Sequence, residues 1–279
     1  MRILVTNDDG INAPGLGVLT DIARELSKDV WVVAPETNQS GTSHSLTLHT
    51  PLRMRKLDER TYAVTGTPTD CVIMAVRHLL AGQRPTLVLS GINDGANVAE
   101  DVTYSGTVAG AMEGTLLGIP SLALSLMTFG VRGDDESGLD GLPSEKTQAP
   151  KVHWDTPRKH APGLIRQLLE VGFPAGTLLN INFPAVPPDA IKGVAITRQG
   201  VRDQDSLAID QRADPWGKPY YWFGFRYRPS TLVEGTDIAA LAAGQISVTP
   251  LSLDLTNDAV LDKLTSDFQG VTLKRAASA

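Results

Sequence analysis

Arg2-Ile3-Leu4-Val5-Thr6-Asn7-Asp8-Asp9-Gly10 is the stretch from which the rest of the chain is read. Residues 2–6 form a short apolar run that stops abruptly at polar side chains, the mark of a buried strand with a loop at its carboxyl end. Leu16, Leu19, Ile22, Ala23 and Leu26 then recur at helical spacing, so the opening reads strand, loop, helix. Residues 30–34 read as a second buried strand, stopped by Pro35. The unit repeats further on: a strand at 86–90, a loop from Ser90 to Tyr104, a helix at 105–117 and a strand at 121–125. Strands alternating with helices predict an α/β fold, a Rossmann-like three-layer sandwich with a mostly parallel sheet between two layers of helices.

Between these units, 46–55 and 61–65 predict a hairpin around Asp58-Glu59-Arg60. Thr67-Pro68-Thr69-Asp70 is a helix start, with Thr67 as cap, Pro68 in the first position and Asp70 reaching back; the helix runs to about Leu80. Over 128–156 the composition turns to Gly, Asp, Ser, Pro and Lys without periodicity, which reads as a loop insertion. Order resumes with a helix at 161–171 and strands at 178–183 and 193–197. Seven aromatic residues lie between Trp216 and Tyr227, and Tyr221, Phe223, Phe225 and Tyr227 alternate, placing four rings on one strand face. The stretch 216–228 fits a hairpin packed on its own core, and equally a protruding arm covered by another subunit, since a monomer rarely exposes so large an apolar face.

Composition narrows the function. The chain has 279 residues, a formal net charge of −6 and no basic run, so long nucleic acid is not an expected partner. The single cysteine, Cys71, excludes an intrachain disulfide framework and a cysteine-built zinc site. A secretory signal needs an apolar region of roughly 7–15 residues and a membrane span about 20. Neither is present, and the chain is expected to be cytoplasmic and to make no use of a membrane.

Three loops carry the chemistry. The first, Thr6-Asn7-Asp8-Asp9-Gly10, follows a strand, and in open α/β sheets ligands sit outside the carboxyl ends of strands. Adjacent carboxylates repel, and a cation between them keeps both ionised, although Asp-Asp-Gly also serves as a plain turn. The second, from Asn38 to Ser45, offers hydroxyls and amides around Gly41; it fits a polar pocket lining or a solvated loop, with His44 a structural hydrogen-bonder. The third runs Ser90-Gly91-Ile92-Asn93-Asp94-Gly95-Ala96-Asn97 and on to Tyr104-Ser105-Gly106-Thr107. Ser105-Gly106-Thr107 falls on the first turn of a helix, where free amides favour a phosphate and Gly106 leaves room for it to approach; Ser105 alone would also make an ordinary cap. The oxygen donors suit Mg²⁺, Mn²⁺ or Ca²⁺ rather than zinc, and the five histidines show no ligand spacing. No Walker motif occurs. Gly15-Leu16-Gly17 resembles part of a dinucleotide fingerprint, with Thr20 in place of the third glycine and Glu36 where a ribose-binding acid would lie. A dinucleotide-binding oxidoreductase is therefore the alternative enzyme class, and a non-catalytic nucleotide-binding stress protein the alternative outside enzymes.

Several longer motifs occur in order: T-N-D-D-G at 6–10, A-P-x-x-x-Q-S-G-x-S-x-S-L-T at 34–47, G-T-P-T-D-C at 66–71, S-G-I-N-x-G-x-N at 90–97 and Y-S-G-T-V-A-G-A-M-E-G at 104–114. With Leu179-Asn180-Ile181-Asn182-Phe183-Pro184 and Ser247-Val248-Thr249-Pro250-Leu251, they make the chain resemble the SurE family of stationary-phase survival proteins, which act as 5′(3′)-nucleotidases. The resemblance implies a metal-dependent phosphomonoesterase acting on nucleoside monophosphates, and on short polyphosphate as a further substrate. It implies one divalent ion per subunit, Mg²⁺ or Mn²⁺ with Ca²⁺ able to occupy the site, held by Asp8, Asp9, Ser40 and Asn93. Asp8 and Asp9 are the implied catalytic residues, and Asn97, Ser105, Gly106 and Thr107 fall near the substrate phosphate. It further implies a cytoplasmic homodimer or homotetramer, with residues 1–250 as the α/β domain and 251–279 as a C-terminal oligomerisation segment.

Overall fold

In the computed structural model, residues 1–128, 152–202, 207–225 and 232–268 are described. Arg2–Thr6 is β1, and its four residues from Ile3 onward are all buried. Helix α1, Pro14–Leu26, begins on a proline and buries Leu16, Leu19, Ile22 and Ala23, the stripe expected from their spacing. Strand β2 is Asp29–Pro35, and β3 (Met54–Lys56) and β4 (Thr61–Val64) form the hairpin. That hairpin is shorter than the sequence suggests. The Thr47 amide and hydroxyl donate to the Asp70 carboxylate, and the Thr67 hydroxyl donates to the Ser45 carbonyl. Residues 45–47 are thus tied to the capped end of a helix, and their polar groups are drawn away from strand pairing.

That helix, α2 (Pro68–Met74), carries the reciprocal Thr67–Asp70 capping box and continues as a π turn to Leu79. Strand β5 runs Leu87–Asp94, four residues past Ser90, with a bulge between Ser90 and Asn93 where it pairs with β6, Ser121–Leu126. The expected loop from Ser90 onward is therefore strand as far as Asp94. A bulge lets the strand keep its ladder while re-aiming Asn93. Helix α3 is Gly106–Leu116, capped by Ser105. Helix α4, Asp155–Val171, starts six residues before the expected 161, inside what the composition marked as insertion. Pro157 sits in its first turn, where a missing N–H costs nothing, and Ala161, Leu164 and Ile165 pack into the core. Residues 129–151 of the proposed insertion lie outside the described residues.

Strands β7 (Thr177–Phe183), β8 (Val194–Ile196) and β11 (Ile246–Ser252) complete one sheet in the order β3-β4-β2-β1-β5-β6-β7-β11-β8. From β4 to β7 all pairings are parallel, and β3 and β11 run antiparallel to their neighbours β4 and β7. Helices α1 and α4 share one hydrophobic cluster with the sheet, and the buried side chains of α2 belong to another. Among the described residues no helix is long and apolar enough to cross a membrane.

The chain leaves β1 for β2 on one side and later returns to place β5 on the other, so the winding reverses between β1 and β5. A crevice opens at such a reversal, outside the carboxyl ends of the strands. Elsewhere β9 (Leu207–Ala213) and β10 (Pro219–Phe225) form a separate two-stranded sheet. Tyr220, Tyr221, Trp222 and Phe223 are all exposed, with Tyr220 and Trp222 meeting edge to face. Along β10, Tyr221 and Phe223 share one face, as expected, and Tyr220 and Trp222 share the other; Tyr227 lies outside the described residues. Helix α5 (Asp237–Ala242) packs beside β11, and α6 (Asp258–Asp267) buries none of its residues.

Candidate active site

The crevice between β1 and β5 gathers all three loops. Asp8, immediately past β1, is 3% exposed, and its Oδ1 accepts a 2.5 Å hydrogen bond from the Thr107 hydroxyl on α3. Its backbone carbonyl accepts from the Gln39 amide at 2.7 Å. Asp9 is less buried, and its Oδ2 accepts from the Asp94 amide at 3.3 Å. Ser40 and Asn93 are therefore each one residue from a direct contact with the aspartate pair. Asn93 donates through Nδ2 to the Gly95 carbonyl, which leaves its side-chain oxygen as the atom open to a ligand.

The second loop is anchored along its length. The Ser43 amide donates to the Tyr104 carbonyl and its hydroxyl to the Thr103 carbonyl, while His44 Nε2 lies 3.1 Å from the Glu113 carboxylate on α3. Ser40 itself is exposed, its amide donating to the Asn38 side chain. The loop thus lies against the beginning of α3, where Asp8 also sits.

Electrostatics give the pair its character. Burial pushes the Asp8 carboxyl up to about 6; the Thr107 hydrogen bond opposes this and the Asp9 charge adds to it. Burial raises Asp9 as well; the Asp94 amide opposes that shift and the Asp94 charge adds to it. Among the described residues no lysine, arginine or histidine forms an ion pair with either carboxylate. Two acids pressed together in low dielectric without a counter-charge are a site that a cation would relieve. No cluster of three or more histidine, cysteine, aspartate or glutamate side chains with metal-binding geometry exists among the described residues. An ion here would have two carboxylates and otherwise neutral oxygens, a donor set that suits a hard divalent cation.

The residues expected to cradle a phosphate are used differently. A Cβ on Gly106 would stand 2.7 Å from Asp8 Cβ and 3.0 Å from its Oδ2, so the room left by this glycine is taken by Asp8, not by an incoming phosphate. The Thr107 hydroxyl is committed to Asp8 and the Ser105 hydroxyl to the Val108 amide. Asn97 is buried and held on four bonds: its amide N–H to Asn182 Oδ1, its carbonyl from Asn180 and Asn182, its side-chain nitrogen to Ser125 Oγ. The sequence motifs assign no role to Ser125, Asn180 or Asn182. The signal was there: Asn180 and Asn182 stand two apart in an otherwise apolar strand, and so share one face.

The dinucleotide reading loses its glycines. A Cβ on Gly15 would lie 1.9 Å from the Ile92 carbonyl oxygen, so this glycine lets α1 approach β5, and Gly17 meets nothing within 4 Å.

Residues 3–206 match the model of the family described as survival protein SurE. The chain belongs to the SurE family. It is 54% identical over 268 residues to a protein named 5′-nucleotidase SurE from Bradyrhizobium sp. (strain BTAi1), covering 95% of this chain and 99% of that one. A protein of the same name from Caulobacter vibrioides (strain NA1000) is 51% identical over 278 residues, covering 100% of both chains. Among solved structures, the SurE protein from Aquifex aeolicus superposes with a TM-score of 0.76 at 40% identity, covering 95% of this chain and 99% of that one. SurE membership thus spans both the three loops and the sheet that brings them together.

Proposed function

We infer that the chain is a 5′-nucleotidase that hydrolyses nucleoside monophosphates to nucleoside and phosphate, using one divalent metal ion. The observation that carries this is the pair of buried Asp8 and half-buried Asp9, without a cationic partner among the described residues, at the reversal of the sheet, in a chain 51% and 54% identical to two proteins named for that activity. Asp8, Asp9, Ser40 and Asn93 are our ligand set for Mg²⁺ or Mn²⁺, with Ca²⁺ able to occupy the same oxygens. Such an ion, when bound, withdraws charge from phosphoryl oxygens and acidifies a water.

The chain supplies the rest. Thr107 fixes the Asp8 carboxylate, and Asp9, the more open of the two, takes the proton of the attacking water at a carboxylate oxygen. Asn97, immobilised on four hydrogen bonds, orients the phosphate, and the positive end of α3 at Ser105, Gly106 and Thr107 attracts it by charge rather than through the Ser105 and Thr107 hydroxyls, which are already committed. 3′-Nucleotides and short polyphosphate offer the same terminal phosphoryl group and are secondary substrates in this reading. We place the protein in the cytoplasm as a homodimer or homotetramer built through the β9–β10 arm and residues 251–279, a reading supported by the exposure of Trp216, Phe223, Leu255 and Leu261.

AMP turnover by the purified chain tests the core of this. Chelation by EDTA is expected to abolish it and added Mg²⁺ or Mn²⁺ to restore it, while Asp8→Asn and Asp9→Asn lose turnover and keep the native circular dichroism spectrum. Full activity in EDTA, or in either variant, would refute the reading.

A further inference from the structure

Beside Asp9 a cleft of about 420 Å³ opens between the β1–α1 turn, the end of β2 and the head of α4. Its size is that of a small-molecule site. Asp9 and Asp94 line one part, Glu36 and Asn38 the β2 side, and Ile11 and Trp154 give an aliphatic and an aromatic surface. Three carboxylates repel a phosphate, so the charged end of a substrate is not what this cleft accepts. A ribose is a better match, because neighbouring hydroxyls donate to a carboxylate. Glu36 directly follows β2, the place from which an acid reaches ribose hydroxyls in nucleotide-binding sheets of this winding. The Arg55 guanidinium grips Glu36 Oε1 at 2.8 Å, while among the described residues Oε2 has no hydrogen-bond partner. Trp154, half-buried against the core at the start of α4, offers a flat surface of the kind on which bases stack.

We propose that this cleft is the nucleoside subsite, with Glu36 accepting from the 2′- and 3′-hydroxyls, Trp154 packing against the base, and Asp9 at the junction with the phosphate. The placement of the phosphate rests on the nucleotidase reading; the affinity of the cleft for a nucleoside does not. The acid that a dinucleotide fingerprint would assign to a cofactor thus serves substrate selection.

Adenosine, which has no phosphate, is the probe. Titrated calorimetrically into the full chain with Mg²⁺ present, it binds the wild type, and E36Q weakens it about tenfold, because the amide still accepts but no longer with the carboxylate's charge. 2′,3′-Dideoxyadenosine binds wild type and E36Q alike. W154L weakens both ligands and W154F restores them, with thermal unfolding of each variant confirming the fold. No binding of adenosine at millimolar concentration, or equal binding by wild type, E36Q and W154L, overturns the subsite. If adenosine binds as described but AMP is not hydrolysed, the nucleotidase reading falls and the subsite stands. If AMP is hydrolysed and adenosine is indifferent to both residues, the subsite alone falls.

Discussion

Thr107 does the work of a positioning group rather than of a substrate contact. Its hydroxyl is spent on Asp8 Oδ1, fixing which carboxylate oxygen is left for a ligand. Thr107→Val keeps the shape and removes the donor. Loss of such an outer partner typically costs about 10–100-fold in metal affinity, and Mn²⁺ titration followed calorimetrically should show a weakening in that range with the melting temperature nearly unchanged. A second expectation concerns pH. In the metal-free chain Asp8 has its carboxyl raised to about 6, above its ordinary value of 3.8. A raised acid stabilises the fold while protonated, so that contribution is present below about pH 4 and is lost as pH rises through about 6. The difference of about two pKa units corresponds to roughly 3 kcal/mol. Asp9, Asp101 and Asp237 are raised too, so the informative quantity is a difference. Urea unfolding in EDTA should show wild type losing stability between pH 4 and 7 relative to Asp8→Asn. A constant gap between the two curves would contradict this.

At the level of elements, the site depends on how closely α1 is laid against β5. Gly15→Ala places a methyl 1.9 Å from the Ile92 carbonyl oxygen, one residue before Asn93. Overpacking of this kind costs about 1–3 kcal/mol. The urea midpoint should drop accordingly, and Mn²⁺ affinity should drop with it, because relieving the clash moves either the β1–α1 turn next to Asp9 or the end of β5 that carries Asn93. The strand–loop–helix units around β1, β2 and α3 were legible in the sequence because apolar period and turn residues agree there. The first loop was legible as a position, past the carboxyl end of a buried strand, whereas Asp-Asp-Gly taken by itself reads equally as a plain turn. The end of β5 was not legible: Gly91 and Asn93 read as loop, and only the pairing of Asn93 and Asp94 with β6 beyond the bulge carries the strand on. The early start of α4 was hidden by Pro157 and Pro162, whose local preference is overruled by packing of the helix on the core. The support of Asn97 by Asn180 and Asn182 is a contact across more than eighty positions, which no local pattern reveals.

At the scale of the molecule, two appendages among the described residues each expose a group of apolar side chains. The β9–β10 arm exposes Trp216 (83%) and Phe223 (73%), and α6 exposes Val260, Leu261 and Leu264 with Phe268 just beyond its end. Patches of that kind mark surfaces that other chains cover. Trp222→Ser combined with Phe223→Ser should therefore lower the mass measured by light scattering from an oligomer towards a monomer. An unchanged mass would remove the arm from the assembly.

The clamp on Asn97 has a consequence for a chain still being synthesised. Asp8 leaves the ribosome early, but its partner Thr107 and the asparagines of β7 follow only much later. Until β7 has docked, the pieces of the crevice are unassembled, so a truncated or half-made polypeptide is inert towards the cell's nucleotide pool. In order of synthesis, the last support of the crevice is made only with β7.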